Sequence, residues 1–216
     1  VKIFKKDGEN AKSNDVILTV KGNIRSVLCT ERLVLNCMQR MSGIATKTKK
    51  IKSIIQDYNV KILDTRKTTP SIRFLEKWAV QIGGGVNHRM GLYDAILIKD
   101  NHIDYGKGLY ENVLEAIKYS KTIKKIPILV EVRNLSELKT VLNIKEINRI
   151  ILDNFSVENV TQAVKLVKQK KPLEVSGNID EKNIKYYATK KIDFISIGAL
   201  THSVKNIDMS LKAEVL

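Results

Sequence analysis

The chain has little of several residue types, and each shortage narrows what the protein can be. Its 216 residues contain no apolar run of the ~18–20 residues that a membrane-spanning helix needs. The first residues, Val1 to Asp7, show no apolar stretch followed by a small-residue cleavage site of the secretory kind. We therefore expect a cytoplasmic protein with no membrane partner.

Cysteine is also scarce. Only Cys29 and Cys37 are present, and no CxxC pair occurs. A zinc site or a disulfide framework needs more cysteines or closer spacing. Two reduced thiols in a reducing compartment are the favoured interpretation.

Acidic residues are fewer than basic ones: the chain has 23 Asp and Glu and 38 Lys and Arg, which gives a formal net charge of +15. Such an excess suits a nucleic-acid surface, a site for polyanionic small molecules, or a general enrichment in lysine on solvated helix ends. Lys168–Lys171 and Lys190–Lys191 fall at the ends of helical patterns, which favours the last reading. Because no nucleic-acid motif and no aromatic stacking platform is visible, we expect no nucleic-acid partner.

The order of apolar segments predicts an α/β fold. Residues 1–28 are expected to form short extended pieces, with Val16–Val20 the clearest strand, followed by a long helix from about Glu31 to Asp57. Six β-branched runs then alternate with amphipathic segments. The predicted strands are Lys61–Leu63, Ala95–Ile98, Ile128–Val132, Ile150–Leu152, Leu173–Val175 and Phe194–Ile197, and the main helices are Leu109–Tyr119, Ser136–Leu142, Val157–Val167 and Glu181–Ala188. This alternation indicates βαβ units and a parallel sheet. Since six strands are fewer than eight, we expect an open, incomplete β/α barrel.

Polar residues follow each predicted strand, at the end of the barrel where active sites lie. They are Asp64–Lys67, Lys99–His102, Glu131 with Arg133, Asp153–Asn154, Ser176–Asn178 and Gly198–Leu200. A purely structural sheet would have no reason to collect such groups at one rim, so we expect the functional site there.

The cations of this rim suit an anionic ligand, although each also has a structural explanation. Arg66 and Lys67 can grip a carboxylate or phosphate, or they form a solvated basic turn. Lys99 could form a Schiff base, hold an anion, or pair with Asp100 or Asp153.

The remaining motifs are weaker alone. Small residues after the last two strands let backbone N–H groups approach a phosphate, or they are simple tight turns. Gly83–Gly85 lacks P-loop spacing, so a turn that directs His88 and Arg89 toward a ligand is favoured. His102 and His202 are expected to be structural.

Taken in order, long segments of the chain resemble the quinolinate phosphoribosyltransferase family. The matching segments are ERLVLN at 31–36, SGIAT at 42–46, DTRKTTP at 64–70, GGGVNHR at 83–89, GLYDAILIKDNHI at 91–103, VEV at 130–132, LDN at 152–154, LEVSGNI at 173–179 and ISIGALTHS at 195–203. The resemblance covers nearly all of the chain. It implies transfer of phosphoribosyl from 5-phosphoribosyl-1-pyrophosphate to quinolinate with Mg²⁺ and decarboxylation, giving nicotinate mononucleotide, pyrophosphate and CO₂ in NAD biosynthesis.

The resemblance also implies residue roles. The expected substrate-binding residues are Arg32, Arg66, Lys67, His88, Arg89, Lys99, Glu131, Asp153, Ser176, Gly177, Asn178, Gly198 and Ala199. Lys67, Lys99 and Asp153 would be catalytic, and Asp153 would also hold Mg²⁺. Arg32 would reach the active site of a neighbouring subunit, which implies a homodimer with shared active sites, or a higher oligomer.

The same resemblance predicts domain boundaries, and it shows positions at which this chain differs from the family. It implies a partial N-terminal α/β sandwich with a linking helix at 1–59, a barrel at 60–204, and a C-terminal segment at 205–216 that returns to the N-terminal domain. Family members carry about half a domain ahead of Val1, so the sandwich is expected to be partial. Ser71 and Asn178 stand where the family has Gly. Arg133 stands where it has Glu, which predicts retained donor binding with slow turnover, because a guanidinium accepts no hydrogen bond and repels a metal.

Two other functions stay open. One is a type II phosphoribosyltransferase for nicotinate, which needs a single carboxylate contact; the cluster of Arg and His favours a dicarboxylate instead. The other is a degenerate, inactive relative that serves as a binding or oligomerisation partner. Arg133 favours that reading, and it is opposed by the intact Arg66, Lys67, Arg89, Lys99 and Asp153.

Overall fold

The N-terminal part of the protein is a small hairpin followed by one long helix. In the computed structural model, which describes residues 1–123 and 126–213, β1 (Lys2–Ile3) pairs antiparallel with β2 (Leu18–Thr19). Helix α1 (Ile24–Ile54) follows. Its N-cap is Asn23, whose side chain accepts hydrogen bonds from the backbone N–H groups of the first turn. This cap starts the helix at Ile24, so the expectation of extended structure to residue 28 and a helix start near Glu31 is wrong.

The rest of the chain alternates strands and helices. In chain order the elements are β3 (Lys61–Leu63), α2 (Arg73–Ile82), β4 (Ile96–Ile98), α3 (Asp100–Tyr105), α4 (Leu109–Ile123), β5 (Ile128–Val132), α5 (Leu135–Val141), β6 (Ile147–Asp153), α6 (Val157–Val167), β7 (Leu173–Ser176), α7 (Ile184–Ala188), β8 (Phe194–Ser196) and α8 (Ala199–His202). All six predicted strands are present.

The six strands form one parallel sheet in the order β3-β8-β7-β6-β5-β4. The first strand of the sheet therefore pairs with the last, with Leu63 opposite Ser196. Val86 makes an isolated parallel bridge to Leu63 on the outer edge of β3. Over the described residues no pairing joins β3 to β4, so the expectation of an open, six-stranded β/α barrel is confirmed.

Alternate residues of the strands face two different cores. Ile128, Val130 and Val132 belong to the large cluster between the sheet and the helices. Leu129 belongs to a small cluster with Ala95 and Ile151. Because side chains alternate along a strand, this second set faces the barrel interior. The same alternation puts Glu131 on the interior side.

Residues 205–213 run back along α1. The backbone N–H of Ile207 donates to the carbonyl of Gln39 (3.2 Å), and Gln39 Nε2 donates to the carbonyl of Met209 (2.9 Å). A Cβ on Gly43 would lie 2.5 Å from the carbonyl oxygen of Lys205, so only glycine permits this approach. These contacts suit the expected returning segment. Its last residues, 214–216, lie outside the described residues, and the domain boundaries remain predictions.

Three helices, α2, α3 and α8, were not predicted from the sequence. Helix α2 buries Glu76 and Lys77 together with Ala79 and Val80, so its buried face does not appear as an apolar stripe. Nowhere in the described residues is there a helix both long enough and apolar enough to cross a membrane.

Candidate active site

The carboxyl ends of β6 and β7 hold Asp153 in a fixed orientation. Asp153 and Ser176 are opposite each other in the sheet, and Ser176 Oγ donates to Asp153 Oδ1 at 2.8 Å. Asn154 Nδ2 donates to the other carboxylate oxygen at 2.7 Å. The sequence therefore predicted correctly that the ends of these two strands lie together.

The turn after β7 is packed directly against the end of β6. Gly177 has φ of +94°, a region that L-residues rarely adopt. A Cβ there would overlap the side-chain oxygen of Asn154. Asn178 also has positive φ (49°), and its Nδ2 donates to Asn154 Oδ1 at 3.1 Å. Asparagine tolerates this conformation better than most residues, which explains how the turn accommodates Asn178.

The loops after β3 and β8 also meet, at the rim where the sequence predicted that the residues following each strand collect. A Cβ on Gly198 would lie 3.1 Å from Lys67 Cδ and 3.1 Å from the ring of His202. Thr201 Oγ1 donates to the carbonyl of Lys67 at 2.7 Å. Ala199 follows as the first residue of α8.

The loop at residues 65–70 is held in place by charged residues that were not predicted from the sequence. Glu76 has no exposed surface and accepts from Arg40 Nε (3.0 Å) and from the backbone N–H of Thr69 (3.1 Å). Arg66 and Lys67 are exposed at the top of this loop. Within the described residues neither has an ion-pair partner, so both cations are available to an anionic ligand.

A buried ion pair fixes the segment that carries His88. Lys77 and Asp64 are fully buried and paired with each other. Lys77 Nζ also donates to the carbonyl of His88 at 3.0 Å, and the N–H of His88 donates to Asp64 Oδ1 at 2.8 Å. Burial raises the pKa of Asp64 and lowers the pKa of Lys77, while their mutual attraction opposes both shifts. Since the pair binds both backbone groups of His88, it sets the direction in which the segment faces.

His88 and Arg89 line a cavity of about 410 Å³. Its wall consists of Asn87, His88, Arg89, Met90, Asp94, Ala95, Pro127, Leu129 and Arg149. Burial lowers the pKa of Arg89, and the nearby charge of Arg66 lowers it further. A partly buried guanidinium in a cavity wall suits an anionic ligand. The predicted role of the glycine-rich turn, to direct His88 and Arg89 toward a ligand, agrees with this geometry.

Glu131 is a carboxylate whose ionised form is disfavoured by its position inside the barrel. Burial raises its pKa to about 7, with further contributions from the negative charges of Asp153 and Asp100, and Lys99 opposes the shift. Among the described residues no three His, Cys, Asp or Glu side chains are arranged to hold a metal by themselves. Mg²⁺, however, is commonly held by one or two carboxylates together with substrate phosphates. The surplus of negative charge around Glu131 and Asp153 fits that kind of partial site.

Arg133 is bound to surface carboxylates other than Glu131 and Asp153. Its Nη1 donates to both oxygens of Asp104 (2.8 and 3.0 Å), and its Nη2 donates to Glu137 Oε1 at 2.7 Å. The guanidinium therefore bridges α3 and α5, with its side chain 40% exposed. This placement removes the reason for expecting Arg133 to slow the reaction, because the interior carboxylate at this strand is Glu131.

Three further predicted residues have clear positions. The N–H of Lys99 donates to His102 Nδ1 at 3.2 Å, and His202 Nδ1 lies 2.7 Å from Ser203 Oγ. The structural role expected for the two histidines stays a prediction. Arg32 is on α1 with its side chain 72% exposed, and its one described ion pair, at 3.9 Å, is to the adjacent Glu31. The described chain thus leaves Arg32 facing outward, and its shared-site role stays a prediction.

Comparison with known proteins covers almost the whole chain. The family model for the quinolinate phosphoribosyl transferase C-terminal domain matches residues 44–212, and the model for the N-terminal domain matches residues 1–42. A probable nicotinate-nucleotide pyrophosphorylase [carboxylating] of Methanocaldococcus jannaschii is 45% identical over 95% of this chain and 74% of its own length. The chloroplastic nicotinate-nucleotide pyrophosphorylase [carboxylating] of Arabidopsis thaliana is 41% identical over 99% of this chain and 65% of its own length.

Solved structures agree. The nicotinate-nucleotide pyrophosphorylase from Francisella tularensis superposes with a TM-score of 0.89 at 44% identity, covering 97% of this chain and 73% of that one. The chain thus spans about two thirds to three quarters of the length of these relatives.

Proposed function

The chain belongs to the quinolinate phosphoribosyltransferase family, and on that premise we propose that it transfers phosphoribosyl from 5-phosphoribosyl-1-pyrophosphate to quinolinate. The products would be nicotinate mononucleotide, pyrophosphate and CO₂, in NAD biosynthesis. The observation that carries the proposal is the partly buried Arg89 in the wall of a cavity of about 410 Å³, with the exposed Arg66 on another loop of the same site. That arrangement suits a small, flat molecule with two adjacent carboxylates.

Quinolinate would bind through its carboxylates. Arg89 already uses Nη1 to donate to the carbonyl of Ala95 at 3.0 Å, which fixes the guanidinium plane and leaves other N–H groups to donate. Arg66 is exposed at the neighbouring loop. Two guanidinium groups can each donate two parallel hydrogen bonds to a carboxylate, whereas nicotinate would leave one of them without a partner. Arg32 of a partner subunit would add a third cation.

The sugar donor would occupy the strand ends above this cavity. Lys67 and Lys99 would face its pyrophosphate. Ser176, Gly177, Asn178, Gly198 and Ala199 would surround the 5-phosphate, where small residues let backbone approach. Glu131 and Asp153 would hold Mg²⁺ together with the donor's oxygens, and the ion would supply positive charge to the leaving pyrophosphate.

The chemistry needs no covalent enzyme intermediate. The ring nitrogen of quinolinate supplies the electron pair for the new bond to C1 of the ribose, while the bond from C1 to pyrophosphate breaks. Lys67 and Lys99 stabilise the departing negative charge. The carboxylate next to the ring nitrogen then leaves as CO₂, and the ring carbon takes a proton. The chain's own contribution is to orient both molecules and to hold cations where charge develops.

The test is pyrophosphate release that depends on quinolinate, measured beside the same assay with nicotinate. Arg89→Ala should weaken quinolinate binding by about 100-fold, if it removes about 3 kcal/mol of charge-assisted contact, and should leave donor binding nearly unchanged. Arg133→Ala is the matched control, because its guanidinium is bound outside the barrel. Release with nicotinate alone, or equal quinolinate affinity in both variants, would refute the proposal.

We also propose a homodimer with shared active sites. The support is Arg32, exposed on α1, together with exposed apolar residues on the same half of the helix, namely Ile24, Leu28, Leu33 and Val34. Inactive Arg32→Ala and Lys99→Ala proteins should regain activity when mixed, since hybrid dimers contain one intact site. Mixtures that exchange subunits and stay inactive would count against sharing.

A further inference from the structure

A buried carboxylate that no proposed step uses lies in the middle of the barrel. Glu174, on β7, is 1% exposed. It alternates with the outward-facing Leu173 and Val175, so its side chain is directed into the barrel interior. A buried charge of this kind is costly unless it is paired and hydrogen-bonded, so its partners show what it does.

Two partners share the carboxylate. Arg149 Nη1 donates to Glu174 Oε2 at 2.8 Å, and the guanidinium is stacked 3.8 Å from the centroid of the Phe194 ring. His88 Nε2 lies 3.5 Å from the other oxygen, Oε1. Burial alone would raise the pKa of Glu174, but the hydrogen bond and charge of Arg149, together with the neighbouring His88 ring, outweigh it and hold that pKa below its usual range. Glu174 is therefore an ionised acceptor that binds Arg149 through one oxygen and faces His88 Nε2 with the other.

The second nitrogen of the His88 ring is also occupied. The backbone N–H of Arg89 donates to His88 Nδ1 at 2.7 Å. A ring nitrogen that accepts a hydrogen bond carries no proton, so the proton of the neutral ring is on Nε2 and faces Glu174. Glu174 thus selects the tautomer that can accept from the backbone of Arg89.

We propose that Glu174 and Arg149 are positioning residues for the dicarboxylate site. They hold His88 as its Nε2–H tautomer, and His88 in turn fixes the backbone from which the Arg89 side chain reaches the cavity. Arg149 keeps the carboxylate ionised and anchored. The identity of the ligand rests on the proposed function, whereas the tautomer does not.

Glu174→Gln is the decisive change, because it keeps the shape and removes one acceptor. Arg149 donates to one oxygen of Glu174 and His88 Nε2 faces the other, and an amide has only one oxygen for them. If the oxygen stays with Arg149, the amide N–H₂ faces His88, and the ring is forced to the Nδ1–H tautomer. That tautomer sets an N–H against the N–H of Arg89. Adding Arg149→Met frees the amide oxygen for His88 and should restore the original tautomer.

The first measurement is ¹⁵N NMR of the histidine rings in the free protein at about pH 8, above the ordinary His pKa of ~6.5. The chain has three histidines, so the signals of His88 can be identified as those that disappear in His88→Gln. We expect the Nε2–H tautomer in the unsubstituted protein, Nδ1–H in Glu174→Gln, and Nε2–H again in the double variant. An Nδ1–H ring in the unsubstituted protein, or no change in Glu174→Gln, would overturn the inference.

The second measurement is calorimetry with each substrate. Glu174→Gln should weaken quinolinate binding about tenfold, equivalent to about 1.4 kcal/mol, and change donor binding less than about twofold. The double variant should recover most of the loss, which general damage to the barrel would not allow. The exposed Glu158→Gln on α6 is the control.

The outcomes separate the two proposals. A tautomer change without loss of quinolinate affinity would overturn the positioning role and leave the proposed function intact. Absence of quinolinate binding in the unsubstituted protein would overturn the proposed function, while the NMR result would still decide the tautomer. Should Glu174→Gln not fold, an Nδ1–H ring in either the unsubstituted protein or the double variant would still overturn the inference.

Discussion

Glu131→Gln is expected to stabilise the protein at high pH. The pKa of Glu131 is raised from 4.5 to about 7, first by burial and then by the negative charges of Asp153 and Asp100. In the unfolded chain the same carboxyl titrates near its ordinary value. As pH rises from about 4.5 to about 7, the unfolded chain therefore loses this proton before the folded one does, and folding stability falls.

The size of the effect follows from the difference of about 2.5 pKa units, at about 1.4 kcal/mol per unit. Above about pH 7 the ionised Glu131 thus costs the folded state up to about 3 kcal/mol. An amide has nearly the same shape and no charge to bury. Glu131→Gln should match the unsubstituted protein at about pH 4.5 and exceed its free energy of unfolding by up to about 3 kcal/mol at about pH 8. It should also lose activity if Glu131 helps to hold Mg²⁺.

Urea unfolding at several pH values, at one fixed protein concentration, measures this difference. The exposed Glu146→Gln is the control, and the difference between it and the unsubstituted protein should not vary with pH. A Glu131→Gln effect that is equal at about pH 4.5 and pH 8, or a variant that is less stable at about pH 8, would refute the argument.

Three further substitutions test other parts of the structure. Arg133→Glu should keep the turnover rate within about twofold and lower stability by roughly 1 kcal/mol, because it replaces surface ion pairs with like charges; a rate increase of tenfold in single-turnover kinetics would place Arg133 at the site after all. Gly177→Ala should cost roughly 2–3 kcal/mol in urea unfolding, because its φ is +94° and a Cβ would overlap Asn154; an unchanged midpoint would show that the turn relaxes. Lys77→Met should lower the free energy of unfolding by about 3–5 kcal/mol, because it leaves Asp64 buried without its partner. If the unpaired charge is the cause, a Lys77→Met/Asp64→Asn double variant must recover stability in the same urea unfolding measurement.

Much of the barrel could be predicted because its strands follow simple patterns. The bounds of β3, β5 and α6 agree with the sequence-based expectation. Strand β6 begins at Ile147, before the predicted start at Ile150. The prediction started too late because the polar residues Asn148 and Arg149 interrupt the apolar run of this strand. Asn148 Oδ1 accepts from the N–H of Ile128 at 2.8 Å, and Arg149 pairs with Glu174. Each of these polar groups is satisfied only by a partner distant in the chain.

The candidate site was predictable where a residue follows a strand directly. Asp153 and Ser176 meet at adjacent strand ends, as right-handed parallel connections require. The supporting pairs could not be found in this way. Lys77 lies inside a helix and Glu174 inside a strand, and each is recognisable only once its partner, Asp64 or His88, is placed beside it. Family resemblance supplied the roles of Arg32 and the dimer, which the single chain leaves as predictions.

The pairing of β3 with β8 has a consequence for biosynthesis. In a growing chain, β4 to β7 leave the ribosome in the order in which they lie in the sheet, so each can join its neighbour at once. Strand β3 emerges before all of them, yet its partner in the sheet is β8, with Lys61 opposite Phe194. Until that last strand arrives, β3 and the basic loop that follows it have no place in the sheet. Such long-range closure is slow, so the part of the candidate site formed by the loops after β3 and β8 should be the last to assemble in a nascent chain.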